Sequence, residues 1–257
     1  MSSPKIPSHR TRKSLNRYAL IGVVAALLAG CASWPAPPPF SVHRPSPTPS
    51  PDSAWWAARF RVDWPDDADP AWHSDLLIAH RVVQPVLERH LQEISLWRFH
   101  RRAARDAGGH QFSFIFFASP ETAARVYSEI SDNPTLQQAR SSGRIIAVVC
   151  DDTASMPGRS IADTSDPTWS APLRQAWPYY VMGASQTWLD LISAIADGEP
   201  QLEDSSAFAE LDQRYAEINA SITTLWQTEG RHAFLHHLNA LFGYEPIVII
   251  EKRYMRF

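Results

Sequence analysis

The spacing of apolar residues restricts the fold of this chain more than any other feature of its sequence. Apolar and polar residues alternate, as is typical of half-buried β-strands, in three segments, at 56–64, 96–102 and 111–117. Two other segments have the apolar spacing or the start signals of helices, at 77–94 and 121–130. Residues 145–150 form a continuous apolar run, which predicts a strand with both faces buried.

Local signals indicate where the predicted helices and turns begin. We expect Ser74-Asp75 to cap the first helix and Pro85 to kink it. Ser119-Pro120-Glu121 predicts the start of the second helix, because it combines a cap, a first-turn proline and an acid near the positive end of the helix dipole. Between the second and third strands, residues 106–109 have the composition of a hairpin turn.

The order of these elements is βαββαβ, the ferredoxin-like arrangement, and a helical half follows it. In that half, apolar residues at steps of three and four form one helix face that must pack on something. They are Phe208, Leu211, Tyr215, Ile218, Ile222 and Leu225. Helix is predicted to continue over 231–242, and a strand to begin at 247–250. We expect an α+β fold: a ferredoxin-like βαββαβ core with a helical C-terminal half and a final strand.

Part of the predicted core has a pattern found in a known family. A helix with an internal proline precedes a Trp-Phe strand, a Gly-His turn and a second strand, and the residues concerned are Pro85, Trp97, Phe99, Asp106, Gly109, His110 and Phe112. Residues 76–117 thereby resemble part of the C-terminal domain of thiopeptide-type bacteriocin and lantibiotic-dehydratase proteins. The resemblance implies the fold of this segment, and no site residue is carried over from it.

The amino-terminal thirty residues have the composition of a secretory signal. They contain five basic residues and no acidic one, and an uncharged run follows from Tyr18 to Gly30. These are the charged and apolar regions of an export signal. The uncharged run is shorter than the roughly 20 residues that cross a bilayer as a helix. We therefore expect no transmembrane span in the mature chain.

The uncharged run ends in Leu28-Ala29-Gly30-Cys31, which resembles the bacterial lipobox. The resemblance implies that residues 1–30 are a lipoprotein signal peptide and that Cys31 receives a diacylglyceryl group and an amide-linked acyl chain such as palmitate. Two or three acyl chains hold a protein stably at a membrane. Ala32 in place of aspartate favours the outer membrane over the inner, with the chain facing the periplasm. The alternative is an ordinary secretory signal with a chance cysteine.

Residues 31–53 are rich in proline and serine, with eight prolines between Pro35 and Pro51. Such a segment cannot bury enough apolar surface to fold, and proline extends it. We interpret it as a tether, with a proline-rich ligand for another module as the alternative. The rest, 54–257, is expected to form a single α+β periplasmic domain, with a sheet core at 54–152 and a helical extension at 153–257.

Charge and cysteine content restrict the partners and the source of stability. Without residues 1–30 the chain keeps 19 of its 24 basic residues and all 27 acidic ones, so its net charge is −8. A nucleic acid partner is therefore not expected. The chain has two cysteines, Cys31 and Cys150. With Cys31 lipidated no intramolecular disulfide can form, so stability must come from a hydrophobic core.

A cluster of basic residues interrupts this acidic composition, at Arg98, His100, Arg101, Arg102 and Arg105. Guanidinium groups match the geometry of carboxylates and phosphates. If the segment is a strand, Arg98 and His100 share one face while Trp97 and Phe99 occupy the other. We identify the cluster as a candidate patch for an anion or a protein partner, with pairing to local acids as the alternative.

Two further groups of residues are candidates for function. A candidate aromatic surface, suited to sugar rings or to a protein interface, consists of Trp169, Trp177, Tyr180 and Trp188. Its alternative is core packing. His232 and His236 would lie on one face of a helix, as a metal site requires. The glutamate of the His-Glu-x-x-His motif is absent, so metal binding is the weaker interpretation and no cofactor is expected.

These features favour a lipid-anchored envelope lipoprotein that binds an envelope protein, as an assembly or accessory subunit, rather than an enzyme. One alternative is a metal-dependent envelope enzyme acting on cell-wall material. It requires His232 and His236 to converge with a carboxylate around a cleft. The other alternative is an immunity-type inhibitor of a toxin.

Overall fold

The computed structural model describes residues 49–155, 158–198 and 207–243. The predicted signal peptide and lipobox, most of the predicted tether, and the predicted final strand at 247–250 lie outside the described residues. Four strands form one antiparallel sheet in the order β2-β3-β1-β4. They are β1 (Ala54–Val62), β2 (Leu96–Ala103), β3 (His110–Ala118) and β4 (Ile145–Cys150). The fold is α+β, as the sequence predicts.

Five helices accompany the sheet in the described residues. Helix α1 connects β1 and β2 and runs without a break through Trp72–Leu77, a π-helical Ile78–Val83 and Gln84–Arg89. Between β3 and β4 lie α2 (Pro120–Ser131) and α3 (Pro134–Ser141). A 3-10 turn, Ile161–Thr164, precedes α4 (Ala171–Asp197). Helix α5 consists of Phe208–Leu225, a π-helical Trp226–His236 and His237–Leu241.

One apolar core joins the sheet to these helices. The inner face of the sheet contributes buried aromatic rings, Trp56, Phe60, Phe112, Phe114 and Phe116. Helices α4 and α5 add Leu189, Ile192, Tyr215 and Ile218 to the same cluster. Burying one such large apolar side chain stabilises a fold by about 1.5–3 kcal/mol. The helices after residue 170 are therefore bound to the sheet by shared core packing.

The start of α1 differs from the predicted cap. The helix begins at Trp72, two residues earlier, and no side chain caps it. Ser74 and Asp75 lie inside its first turn, and both are buried. The prediction was wrong because the Asp75 carboxylate accepts hydrogen bonds from His110 and Arg101, which are distant in sequence, instead of from the helix backbone.

Pro85 lies just after the π-helical segment of α1. Proline has no N–H to donate to the carbonyl four residues earlier, that of Arg81. The Asn133 side-chain amide donates to this carbonyl instead, at 3.0 Å. The Asn133 side-chain oxygen accepts from the Leu136 N–H at 3.1 Å and caps α3. One side chain thus caps α3 and joins it to the irregular part of α1.

Two predicted local signals are confirmed. Ser119 caps α2 by accepting a hydrogen bond from the Thr122 N–H at 3.2 Å. In the turn between β2 and β3, the Asp106 carboxylate accepts from the N–H groups of Gly108 and Gly109 at 2.8 and 3.2 Å. Gly109 has a φ of +59°, which favours glycine.

Strand β4 is less buried than its apolar sequence predicts. It lies at an edge of the sheet, and Ile146 and Val149 are 56% and 50% exposed. The pairing of β4 with β1 shifts in register between Arg61 and Val62, so that Ile146 is not paired with a residue of β1. The expectation of two buried faces was wrong because the outer face of the sheet is open here. Cys150, at the end of β4, is partly buried, and burial raises the pKa of its thiol to about 11.

None of the helices in the described residues has the length and apolar character needed to cross a bilayer.

Candidate binding site

Four residues of the predicted basic cluster lie on β2 and divide between its two faces. The pairing of β2 with β3 places Arg98, His100 and Arg102 on the outer face of the sheet, opposite Ile115, Ser113 and Gln111 respectively. Trp97 and Phe99 are buried on the inner face, at 4% and 7% exposure. This alternation is the predicted one. Arg101 shares the inner face, so it is separated from its neighbours in sequence.

Strand β1 adds two arginines to the outer face. In the register of β1 with β3, Arg59 is paired with Ser113 and Arg61 with Gln111. The two β3 residues therefore lie between the β1 arginines and the β2 residues His100 and Arg102. We name this surface the basic sheet face, and its residues are Arg59, Arg61, Arg98, His100 and Arg102. The sequence analysis missed Arg59 and Arg61, since only the strand pairing brings them there.

One end of the outer face is covered and the other is open. At the covered end, Trp55, Leu96 and Phe117 form a small apolar cluster against Ile161 and Met182. The Trp55 indole N–H donates to the carbonyl of Ser160 at 3.1 Å, which fixes the 3-10 turn over this end. The basic sheet face occupies the remaining part, and His100 is exposed there.

The arginines of the basic sheet face have only partial charge compensation. Arg59 pairs with Asp151 at 2.5 Å, and Arg102 pairs with Asp106 at 2.5 Å. Arg61 donates to the carbonyl of Ala107 at 3.0 Å, and Arg98 to the Thr164 hydroxyl at 3.1 Å. Four guanidinium groups against two carboxylates leave this surface with a charge of about +2.

Positive charge on this face affects His100. Burial lowers the pKa of the His100 imidazole, and the nearby charges of Arg98 and Arg102 lower it further. Burial also lowers the pKa of Arg98. The part of the His100 shift that Arg98 and Arg102 cause is the electrostatic property expected of a surface that attracts anions.

Arg101 is part of a buried polar cluster on the inner side. Its Nε donates to Asp75 Oδ2 at 2.8 Å, and its Nη2 donates to the Trp72 carbonyl at 3.0 Å. The other oxygen of Asp75 lies 3.0 Å from His110 Nε2. The side chains of Asp75 and His110 are fully buried, whereas that of Arg101 is 30% exposed. The rings of Trp72 and Trp188 lie 5.1 and 4.9 Å from the guanidinium carbon.

The exposed side of Arg101 borders a pocket. The lining residues are Trp72 of α1, Arg101 of β2, and Asn219 and Thr223 of α5. The pocket therefore exists only because α5 packs beside α1. Nothing in the sequence around Arg101 indicates that Asn219, more than 100 residues later, lies next to it.

Arg105 has a different environment from the other basic residues. Its guanidinium carbon lies 3.5 Å from the centre of the Trp64 ring. It also donates to the carbonyl groups of Trp64, Pro65, Asp66 and Ala68. These contacts hold the loop after β1. The structure places Arg105 against that loop and not on the basic sheet face.

The structure also separates the residues of the candidate aromatic surface. Trp169 and Trp177 have ring centres 5.0 Å apart, and Trp177 and Tyr180 have ring centres 5.4 Å apart. Tyr180 is 49% exposed. Trp188 lies elsewhere, against Phe99 and Phe112 of the core, with ring centres at 5.6 and 6.2 Å. Three of the four residues thus form one cluster, and Trp188 has the alternative role of packing.

The candidate metal residues lie on an exposed part of α5. The rings of His232 and His236 stack with centres 4.8 Å apart, and His237 contacts both. All three residues are exposed. Within the ranges that the structure describes, no group of three or more histidine, cysteine, aspartate or glutamate side chains could hold a metal ion.

Comparisons of the chain with protein-family models, with curated proteins and with solved structures gave no match. The basic sheet face and the pocket at Arg101 are therefore defined by their own geometry. Cys31, the predicted lipidation residue, lies outside the described residues.

Proposed function

We propose that this chain is the precursor of a lipoprotein that is anchored to the outer membrane through Cys31. The support is the sequence Leu28-Ala29-Gly30-Cys31 after a basic, acid-free amino terminus. The proline-rich residues 31–53 would then hold the folded domain at a short distance from the membrane, on the periplasmic side.

The folded domain, we propose, is a non-catalytic binding subunit that recognises an acidic surface of an envelope protein through the basic sheet face. The observation that carries this proposal is the collection of four arginines and one histidine on the open part of one sheet face. The chain without residues 1–30 has a net charge of −8, so a surface of about +2 differs in sign from the rest of the protein. An acidic partner would be attracted to this surface and repelled elsewhere.

Arginine is well suited to such an interface. A guanidinium group can bind a carboxylate through two parallel hydrogen bonds, and it retains its charge when water is excluded. Arg59 and Arg102 already bind carboxylates of this chain, at Asp151 and Asp106. A partner's acidic side chains would use the donors that these contacts leave.

The core that presents this face is proposed to be ferredoxin-like. In favour of this assignment, β1 and β2 run in the same direction, with β3 antiparallel between them. Helix α1 makes the connection from β1 to β2, which is the split βαβ arrangement. Fold alone assigns no function, so the binding proposal depends on the surface residues.

The metal-dependent enzyme receives less support from the geometry. It requires His232 and His236 to converge with a carboxylate, yet these rings stack on one another at an exposed helix face. An immunity-type inhibitor would be one form of the proposed binding protein. The identity of the captured partner distinguishes an assembly subunit from such an inhibitor.

A capture experiment with a charge-reversed pair tests the proposed function. The full-length protein and the variant R61E/R102E are each cross-linked in intact cells and recovered from detergent-solubilised envelopes, and bound proteins are quantified by mass spectrometry. We expect the variant to lose at least one partner by about tenfold or more, since like charges across an interface cost several kcal/mol.

The matched control is R140E, which reverses the charge of an exposed arginine in the last turn of α3, away from the basic sheet face. It should recover the same partners as the unchanged protein. The proposal is wrong if both variants recover the same proteins in the same amounts.

A further inference from the structure

A second, independent inference concerns the pocket beside Arg101. It has a volume of about 330 Å³ and is lined by Trp72, Arg101, Asn219 and Thr223. We propose that it binds a small organic monocarboxylate whose charged group contacts Arg101. None of these residues belongs to the basic sheet face, so the two proposals can fail separately.

Arg101 is held in a fixed orientation before any ligand binds. Its Nε and Nη2 donate to Asp75 and to the Trp72 carbonyl, and the rings of Trp72 and Trp188 lie close to its guanidinium group. Among the described residues, its hydrogen bonds use only these two nitrogens, which leaves the Nη1 donors for a ligand. A charged group that is already immobilised loses little conformational entropy on binding, so it is an effective anchor.

The charge around Arg101 favours a monoanion over a dianion. The Asp75 carboxylate pairs with the guanidinium at 2.8 Å and is fully buried, so it offsets most of the charge of Arg101. A site with little net charge does not repay the cost of removing a phosphate dianion from water. A carboxylate has a single charge and a planar shape that matches the guanidinium.

The opposite wall of the pocket supplies neutral polar groups. Asn219 and Thr223 lie four residues apart on α5, and so they share one helix face. The Thr223 hydroxyl donates to the Asn219 backbone carbonyl at 2.8 Å, which fixes its orientation. The Asn219 side-chain amide has two N–H donors, and these can bind the carboxylate oxygen that Arg101 does not reach.

The size of the pocket matches a small ligand. Pockets for small molecules typically have volumes of about 300–1,000 Å³, and this one is at the low end of that range. The Trp72 ring provides an apolar wall for the carbon atoms of the ligand. These properties fit a short-chain carboxylic acid.

Calorimetric titration of the full-length, detergent-solubilised protein with butyrate tests the assignment. We expect butyrate to bind with a stoichiometry of one, and N219A to weaken binding about fivefold, as the loss of one hydrogen bond requires. Variants of Arg101 are avoided because they would leave Asp75 buried without its charge partner.

The matched control is T224V. Thr224 is exposed on the same helix and donates to its own i−4 carbonyl at 3.0 Å, as Thr223 does, but it does not line the pocket. We expect T224V to bind butyrate as tightly as the unchanged protein. The proposal is overturned if butyrate does not bind, if T224V weakens binding as much as N219A, or if inorganic phosphate binds as tightly as butyrate.

Discussion

Asp75 places a carboxylate in the interior of the protein. Its carboxylate is fully buried and contacts both Arg101 and His110. Taking charged groups out of water is costly, and a buried pair is tolerated only when its hydrogen bonds are satisfied. Single residues of this kind determine which alternative packings of the chain are excluded, because any shift of β2 relative to α1 would separate these charges.

We therefore expect D75A to destabilise the protein by about 3–5 kcal/mol, because the Arg101 charge would remain partly buried without its partner. The measurement is urea-induced unfolding followed by tryptophan fluorescence. D66A is the matched control, since the Asp66 carboxylate also pairs with an arginine, Arg105, but is fully exposed. Removing such a surface pair should change the stability far less than D75A does. Equal losses for the two variants would contradict the role given to Asp75.

At the scale of elements, a few side chains determine how the helices pack. Asn133 joins α3 to α1, and Asp212 joins α5 to α1 and to the start of β4. The Asp212 carboxylate lies 3.1 Å from His73 Nε2 and 2.7 Å from Arg144 Nη2. Helix propensity explains why each helix forms. These contacts explain where each helix lies.

Asn133 can be tested with two substitutions that separate its two contacts. N133D keeps an oxygen that can cap α3 but cannot donate to the Arg81 carbonyl, whereas N133A loses both contacts. We expect N133D to lower the free energy of unfolding by about 1 kcal/mol and N133A to lower it by about 2 kcal/mol, measured by urea denaturation. If the two variants are equally stable, the contact with Arg81 is unimportant.

The pairing of Asp212 predicts an acid-dependent loss of stability. Burial opposes ionisation of Asp212, but the hydrogen bond from His73 and the charge of Arg144 outweigh it, so the pKa lies below the ordinary value of 3.8. A depressed carboxyl pKa stabilises the folded state above the ordinary value, and this contribution is lost as the pH falls through the folded-state pKa.

Unfolding of the unchanged protein and of D212N should therefore be compared between pH 7 and pH 2. We expect D212N to be the less stable of the two at neutral pH. The difference should diminish as the pH falls below the ordinary value of 3.8 and through the lower pKa of Asp212 in the folded protein. A stability difference that stays constant down to pH 2 would exclude this linkage.

At the scale of the whole molecule, the two edges of the sheet differ in what lies beside them. Helix α4 lies along β2, where the Phe99 N–H donates to the Ser185 hydroxyl at 3.0 Å. The outer edge of β4 has no strand partner in the described part of the chain. Its sequence, Ile145 to Cys150, contains no charge and no proline, which are the usual protection of an exposed edge.

We expect V149K to reduce self-association of the protein while changing its stability by less than about 0.5 kcal/mol, because Val149 is half exposed. Sedimentation velocity over a range of concentrations, together with urea unfolding, would measure both effects. V148K is the control, since Val148 packs against the core and its replacement should destabilise the fold. Unchanged association in V149K would show that the β4 edge does not mediate it.

Much of the architecture could be predicted because its causes are local. The alternating segments, the Ser119 cap and the glycine turn at 108–109 depend on neighbours within a few residues, and the structure agrees with them. The failed expectations concern long-range effects. Ser74-Asp75 resembles a cap, but the Asp75 carboxylate binds Arg101 of β2 and His110 of β3 instead. Strand β4 is exposed because no element in the described part of the chain covers its outer face.

The candidate sites show the same division. Arginines at 98 and 102 were identifiable from the sequence, since alternation along one strand decides which face they share. Arg59 and Arg61 join them only through the register of three strands. Asn219 lies next to Arg101 only because α5 packs beside α1. The sequence by itself determined the four strands, the helix between β1 and β2, the helix after β3 and the acidic balance, because these follow from adjacent residues and composition. Only the tertiary structure decided which charges are exposed and which are buried, because burial results from packing between residues far apart in the chain.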